Sequence, residues 1–192
     1  MSSVNFTKAE LAAAIARGVR QCVVIGSRQH PWREALGSSP EQTVKVFAVD
    51  EDPQLDPPAT FVPTQFASEA LATALEKSDF DKRKASLFVW LGGTGYRTVE
   101  AALASLAFIA SLPKGSSVVF DYAVERTSLG SLTHTALDAL SSRILVASGS
   151  VKYLIQPQAV AAMLRGLGFQ QIVDLVQEGL PDCGGHLVSA LV

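Results

Sequence analysis

Apolar positions along this chain fall in two alternating patterns, short unbroken runs and stripes at helical period. Leu11, Ala14, Ile15 and Val19 form such a stripe, and Thr7 with Glu10 stands ahead of it at capping-box spacing, so residues 7–20 are predicted as a helix. Cys22-Val23-Val24-Ile25 follows without alternation and stops at Gly26, the pattern of a strand buried on both faces of a parallel sheet. Residues 44–49 read as a second strand ending at Asp50. The four prolines Pro53, Pro57, Pro58 and Pro63 argue against regular helix or central strand between 52 and 63. Helices are predicted at 68–77, at 98–111 with Thr98 as cap, at 128–142, and at 156–166 with Pro157 in its first turn. Strands are predicted at 86–91, ending in Gly92-Gly93-Thr94-Gly95, and at 117–120, ending in Asp121-Tyr122. The chain finishes with strands at 169–176 and 186–192, and the 177–185 stretch between them (QEGLPDCGG) can only be a loop.

Strands alternating with helices predict an α/β fold: a mostly parallel twisted sheet with helices on both faces. The last two strands lack an intervening helix, so they are expected as an antiparallel hairpin at one edge. No internal repeat or boundary interrupts the pattern, and residues 1–192 are read as one domain. Composition narrows the function classes. Hydrophobic residues make up 48% and charged residues 18%, ordinary material for a packed core. A net charge of −2, from 18 acidic and 16 basic residues, gives no footprint for nucleic acid or for an anionic membrane. Cys22 and Cys183 lack CxxC spacing and are read as reduced thiols rather than as disulfide or zinc ligands. The first ten residues, MSSVNFTKAE, do not have the form of a signal peptide, and no apolar stretch reaches roughly 18 residues. A cytoplasmic location is expected.

In open α/β sheets ligands bind beyond the carboxyl ends of the strands, near the point where strand order reverses. That places the candidate site at Gly26 onward, Asp50-Glu51, Thr64-Gln65-Phe66, the 91–96 stretch and Asp121-Tyr122. Gly26 would let a cofactor approach the backbone. Asp50 could accept both hydroxyls of a ribose. The plainer alternative makes Gly26 only a turn and Asp50 only a solvated strand end. A dinucleotide needs G-x-G-x-x-G, and Gly26-Ser27-Arg28-Gln29-His30-Pro31 does not supply it.

Six blocks of sequence resemble the leucine carboxyl methyltransferase-like family of class I S-adenosylmethionine (SAM) dependent methyltransferases. They are CVVIGSRQHPWREAL (22–36), VFAVDEDP (46–53), FVPTQF (61–66), SLFVWLGGTGYRTVEA (86–101), LPKGSSVVFDY (112–122) and SGSVKYLIQPQAVAAMLRGLGFQQIVDL (148–175). The resemblance implies a Rossmann-like methyltransferase fold, SAM as cofactor and a small-molecule oxygen, with a carboxylate as the expected kind, as methyl acceptor. It implies Gly26, Ser27, Asp50, Glu51, Gln65, Phe66 and Leu91 as cofactor contacts, and Arg28, Tyr96 and Tyr122 as substrate contacts. Several positions depart from the family pattern. The second glycine, the aspartate and the arginine of the first block are replaced by Arg28, His30 and Trp32. Ala48 replaces the first acid of the second block, Gln65 an aspartate, and Leu91 a glutamate. The family also carries a long N-terminal segment over the cofactor, and this chain has about twenty residues before its first strand. A homodimer or a partner subunit is one way to cover such a cleft.

Other side chains have competing readings. His30 is a weak candidate for a catalytic base, or simply solvated in its RQHPW loop. Arg28 and Arg33 could bind a carboxylate or phosphate, or carry surface charge. Trp32 and Trp90 could stack on a planar ligand, with core packing the better reading for Trp90. The 92–95 loop could cradle a ligand but lacks the Lys-Ser/Thr of a P-loop. Ser131 and His134 have no aspartate at triad spacing, His186 reads as structural, and no metal cluster is visible. Two functions therefore stand from sequence: a SAM-dependent O-methyltransferase, or a descendant that binds, scaffolds or does other chemistry in the same cleft.

Overall fold

A computed structural model describes residues 2–26, 44–51, 59–65, 69–91, 98–124, 144–147, 150–153, 156–177 and 184–192. Helix α1 (Ser3–Ala16) precedes strands β1 (Gln21–Ile25), β2 (Lys45–Asp50) and β3 (Thr60–Pro63). Helix α2 (Leu71–Glu76), β4 (Ser86–Trp90), α3 (Val99–Ala110) and β5 (Ser117–Val124) follow. A separate two-stranded ladder pairs β6 (Ile144–Ala147) with β7 (Ser150–Tyr153). Helix α4 (Pro157–Leu167), β8 (Gln171–Gln177) and β9 (Gly184–Leu191) complete the described elements.

The main sheet has seven strands in the order β3-β2-β1-β4-β5-β9-β8. All pairs from β3 to β5 are parallel, and β9 runs antiparallel to both β5 and β8. Strand order reverses between β1 and β4, as the sequence pattern requires of a doubly wound sheet. The C-terminal hairpin is present, with the last strand of the chain inserted beside β5 and β8 left at the edge. That edge exposes Val173 and Val176.

Side chains alternate across the strands, and each parity has its own core. Cys22, Val24, Val46, Leu87, Val89, Val119 and Leu187 pack beneath α1, which contributes Phe6, Leu11 and Ala14. Val23, Ile25, Phe47, Phe88, Trp90, Val118, Val188 and Ala190 pack on the opposite face beneath α2, α3 and α4. Phe80 extends this second core, edge-on to both Phe47 and Phe88. Strands buried on both faces explain the unbroken apolar runs.

Two local expectations are revised and two strand features are added. Helix α1 begins at Ser3, because the Ser2 hydroxyl accepts the Asn5 amide, while Thr7 sits inside the helix and donates to the Ser3 carbonyl. The proline-rich stretch ends in a short strand at the sheet edge, as the exclusion of helix and central strand allows. Thr60–Pro63 pairs with β2 and has no other strand beside it among the described residues, and an edge is where a proline is tolerated. Strand β5 runs four residues beyond the expected end, since β9 pairs with it along its whole length. The β6–β7 ladder was not anticipated. The helix expected at 128–142 lies outside the described residues. Helices α3 and α4 match their signals. Thr98 caps α3 by accepting the Ala101 amide, and Pro157 opens α4, which Gly168 closes at φ 110°.

Candidate functional site

The carboxyl ends of β1, β2 and β3 are pinned to one another by main-chain bonds. The Gly26 amide donates to the Val49 carbonyl at 3.0 Å, and the Thr64 amide to the Asp50 carbonyl at 3.1 Å. Gly26 takes φ +70°, and a Cβ built on it would meet nothing within 4 Å. A side chain there would be strained by the backbone, not by crowding from the described residues. Asp50 is 5% exposed, and its Oδ1 accepts the Glu51 amide at 2.6 Å. This contact fixes the carboxylate at the strand end, while the Glu51 side chain is exposed.

Beyond β3, Thr64 is buried, and Gln65 is exposed and accepts the Glu69 amide through its carbonyl at 2.8 Å. Thr64 Oγ1 donates to Glu69, whose other oxygen accepts from Lys77 Nζ at 2.5 Å. The Lys77 bond is the main reason the Glu69 carboxyl is held below its ordinary range. Leu91 follows β4 with its side chain buried in the α1-side core, so what it offers a ligand is main chain. Ser27, Arg28, His30, Trp32, Arg33, Phe66, the 92–95 loop, Tyr96, Ser131, His134 and Cys183 lie outside the described residues. Gly26, Asp50, Glu51, Gln65 and Leu91 are thus placed along the mouth of four adjacent strands.

Tyr122 belongs to a second group. The last β4–β5 pair is Trp90 with Phe120, whereas β5 and β9 stay paired as far as Val124 with Gly184. The β5–β9 ladder therefore rises past the end of β4, and Tyr122 stands two residues beyond that end, about 7 Å along the strand. Directly opposite it is His186, and one diagonal step away on β8 is Asp174. Parity puts all three on the α3–α4 side of the sheet. Tyr122 Oη donates to Asp174 Oδ2 at 2.5 Å, and His186 Nδ1 lies 2.6 Å from Asp174 Oδ1. The Tyr122 and His186 rings lie 5.1 Å apart between centroids. Burial, and then the neighbouring carboxylate, push the Tyr122 phenol well above its ordinary range. The phenol therefore keeps its proton and donates it. With one carboxylate oxygen so engaged, the other accepts from His186, which puts the imidazole proton on Nδ1.

Neither Asp174 nor His186 was singled out as functional from sequence. An acid at the inward parity of QIVDLVQ is a detectable oddity, but the register that brings His186 and Tyr122 to it spans three strands and cannot be read locally. Among the described residues no group of three or more His, Cys, Asp or Glu could hold a metal ion. No helix among them is long and apolar enough to cross a membrane.

No protein-family profile matches the sequence, and no curated protein matches it by sequence. Solved structures do match in shape. The N-terminal domain of EvdMO1 with S-adenosylhomocysteine (SAH) bound superposes with a TM-score of 0.65 at 14% identity, over 98% of this chain and 80% of that one. The Burkholderia thailandensis 1,6-didemethyltoxoflavin-N1-methyltransferase, bound to 1,6-didemethyltoxoflavin and SAH, gives 0.61 at 15%, over 98% and 77%. The glycopeptide N-methyltransferase MtfA gives 0.54 at 15%, over 97% and 95%. At these identities the likeness is one of architecture: the chain has the Rossmann-like fold of class I SAM-dependent methyltransferases.

Proposed function

We propose that this protein is a SAM-dependent methyltransferase that transfers a methyl group to an oxygen of a small molecule. The observation that carries the reading is the pairing of a left-handed glycine turn at Gly26 with a fixed carboxylate at Asp50, on adjacent strand ends of a fold whose solved neighbours hold SAH. The donor set suits that group. A carboxylate at the end of β2 can accept ribose hydroxyls, and a glycine turn after β1 admits close approach of the ligand to main chain. Gln65, exposed beyond β3, offers an amide to the adenine edge. When bound, SAM supplies the electrophilic methyl group. The chain's task is to orient the acceptor and keep water out.

A second reading, a descendant that keeps the fold without methylating, is favoured by Leu91. Its side chain is apolar and buried where the resembling family carries a glutamate. Calorimetric titration with SAM and SAH separates the two. The expected result is micromolar binding, about −8 kcal/mol, that is lost in Asp50→Ala and weakened in Asp50→Asn. Circular dichroism should show both variants folded. No heat with either ligand would overturn the methyltransferase reading in favour of the second.

A further inference from the structure

We propose that His186, held by Asp174 and Tyr122, is the general base of this site, and that the methyl acceptor is a neutral hydroxyl or phenol rather than a carboxylate. The inference rests on the methyltransferase reading above and gives it a substrate class. A carboxylate acceptor is already anionic and needs no base. A hydroxyl must lose a proton as it gains a methyl group, and a positioned imidazole is suited to take it near neutral pH.

The structure supplies the parts in sequence. Asp174 accepts from both Tyr122 and His186, so its two oxygens are each committed and the ring is held in one orientation. With the proton on Nδ1, the lone pair is on Nε2, and no described residue bonds that nitrogen. The His186 side chain keeps 15% of its surface exposed, against 20% for Asp174, so the ring is sheltered but not sealed. Its place is right as well. Tyr122 and His186 stand on the part of the β5–β9 ladder that projects beyond β4, with β5 two strands along the sheet from β1. From β1 to β9 is three strand spacings, about 14 Å, a span that a donor at the Gly26 turn and an acceptor at the imidazole would bridge together.

In the step itself, the acceptor O–H proton passes to His186 Nε2 while the oxygen lone pair forms the new O–CH3 bond. The C–S bond of the donor breaks, its electron pair stays on sulfur, and SAH leaves as a neutral thioether. The imidazolium formed is stabilised by Asp174 at 2.6 Å and returns its proton to water after release.

The test uses the intact protein loaded with SAH, the binding of which is established first by calorimetry. Failure at that stage removes the methyltransferase reading itself. With SAH bound, ring nitrogen-15 NMR of His186 is followed in the free complex and on addition of phenol or benzoate. The expected result is an Nδ1-protonated tautomer whose Nε2 resonance moves with phenol and not with benzoate. Phenol affinity should fall roughly tenfold in His186→Gln, the loss of about one hydrogen bond. Asp174→Asn should shift the ring toward the other tautomer while leaving SAH affinity unchanged. A proton found on Nε2 in the wild-type protein, a benzoate response equal to that of phenol, no response to either, or phenol binding undiminished in His186→Gln would each overturn the proposal.

Discussion

The two ends of the sheet treat buried polar groups differently. At the amino end, the first residues of β1 and β4 and the residue just ahead of β5 satisfy one another. Gln21 Nε2 donates to the Asp81 carbonyl at 3.0 Å and to Ser86 Oγ at 3.1 Å, and its Oε1 accepts the Asp81 amide at 2.9 Å. The Ser86 amide in turn donates to Ser116 Oγ at 3.2 Å. Gln21, Ser86 and Ser116 are all buried, and the network closes on itself. At the carboxyl end a polar group is oriented instead of closed off: Asp174 aims an imidazole whose second nitrogen no described residue occupies. A closed network at low dielectric stabilises, and a half-committed one is what a ligand can complete. One end secures the fold and the other is left to chemistry.

The largest effect that would sharpen this contrast is alkaline unfolding. Burial raises the Cys22 thiol from 9.0 to about 12, and the Tyr122 phenol is also pushed up. For both groups the folded value lies above the unfolded one, so the unfolded chain releases protons first. The Cys22 contribution is full below about pH 9 and is lost as pH rises through about 12, and the Tyr122 contribution is full below about pH 10 and lost above it. For Cys22 alone the loss is on the order of 4 kcal/mol across that window. Urea unfolding at pH 7, 9 and 11 should therefore show a steep fall above 9. Cys22→Val should flatten most of it and Tyr122→Phe the later part. A profile unchanged in Cys22→Val would remove the assignment.

Next in size is the amino-end network. Gln21→Leu keeps the volume but strips three hydrogen bonds and leaves the Asp81 amide without its acceptor, while Ser86 Oγ and the Asp81 carbonyl keep their bonds to the Lys84 carbonyl and amide. It should cost about 2–3 kcal/mol, or roughly 5–10 °C in Tm for a chain of this length, with SAH affinity unchanged. If SAH binding weakened in parallel with stability, the separation of the two ends would fail. The converse substitution, Asp174→Asn, should change the His186 tautomer far more than it changes Tm.

How much of this was legible without coordinates depends on range. The runs Cys22–Ile25 and Ser86–Trp90 announced strands because both faces are buried, and no partner needs to be known to see it. Pro157 and Gly168 marked α4 because they fix local backbone geometry. Gly26 and Asp50 could be placed at strand ends by counting from those runs. Thr60–Pro63 could not, since proline forbids a central strand but permits an edge, and edge position is a property of the whole sheet. Tyr122, Asp174 and His186 are up to 64 residues apart in sequence, and only the β5–β9–β8 register brings them together. A polar site built across strands is invisible to periodicity even when each strand is not.

The smallest effect concerns the junction between the two ends, where β4 hands over to α3 on the carboxyl side. Thr98 accepts the Ala101 amide at 3.2 Å, and Glu100 lies in the first turn, both complementing the unpaired amides and positive dipole of that helix end. Thr98→Ala removes the cap and should cost about 1 kcal/mol by urea unfolding, near the middle of the range for such caps. Thr98→Ser should restore nearly all of it. Helix α3 packs on the same face as Trp90 and Tyr122, so loosening its first turn also loosens the wall next to the proposed acceptor position. The cap substitution should therefore weaken phenol binding slightly and leave SAH binding at Gly26 and Asp50 alone. A Thr98→Ala protein that lost SAH affinity while keeping its stability would instead place the cofactor against α3, and the division of labour along the carboxyl edge would have to be redrawn.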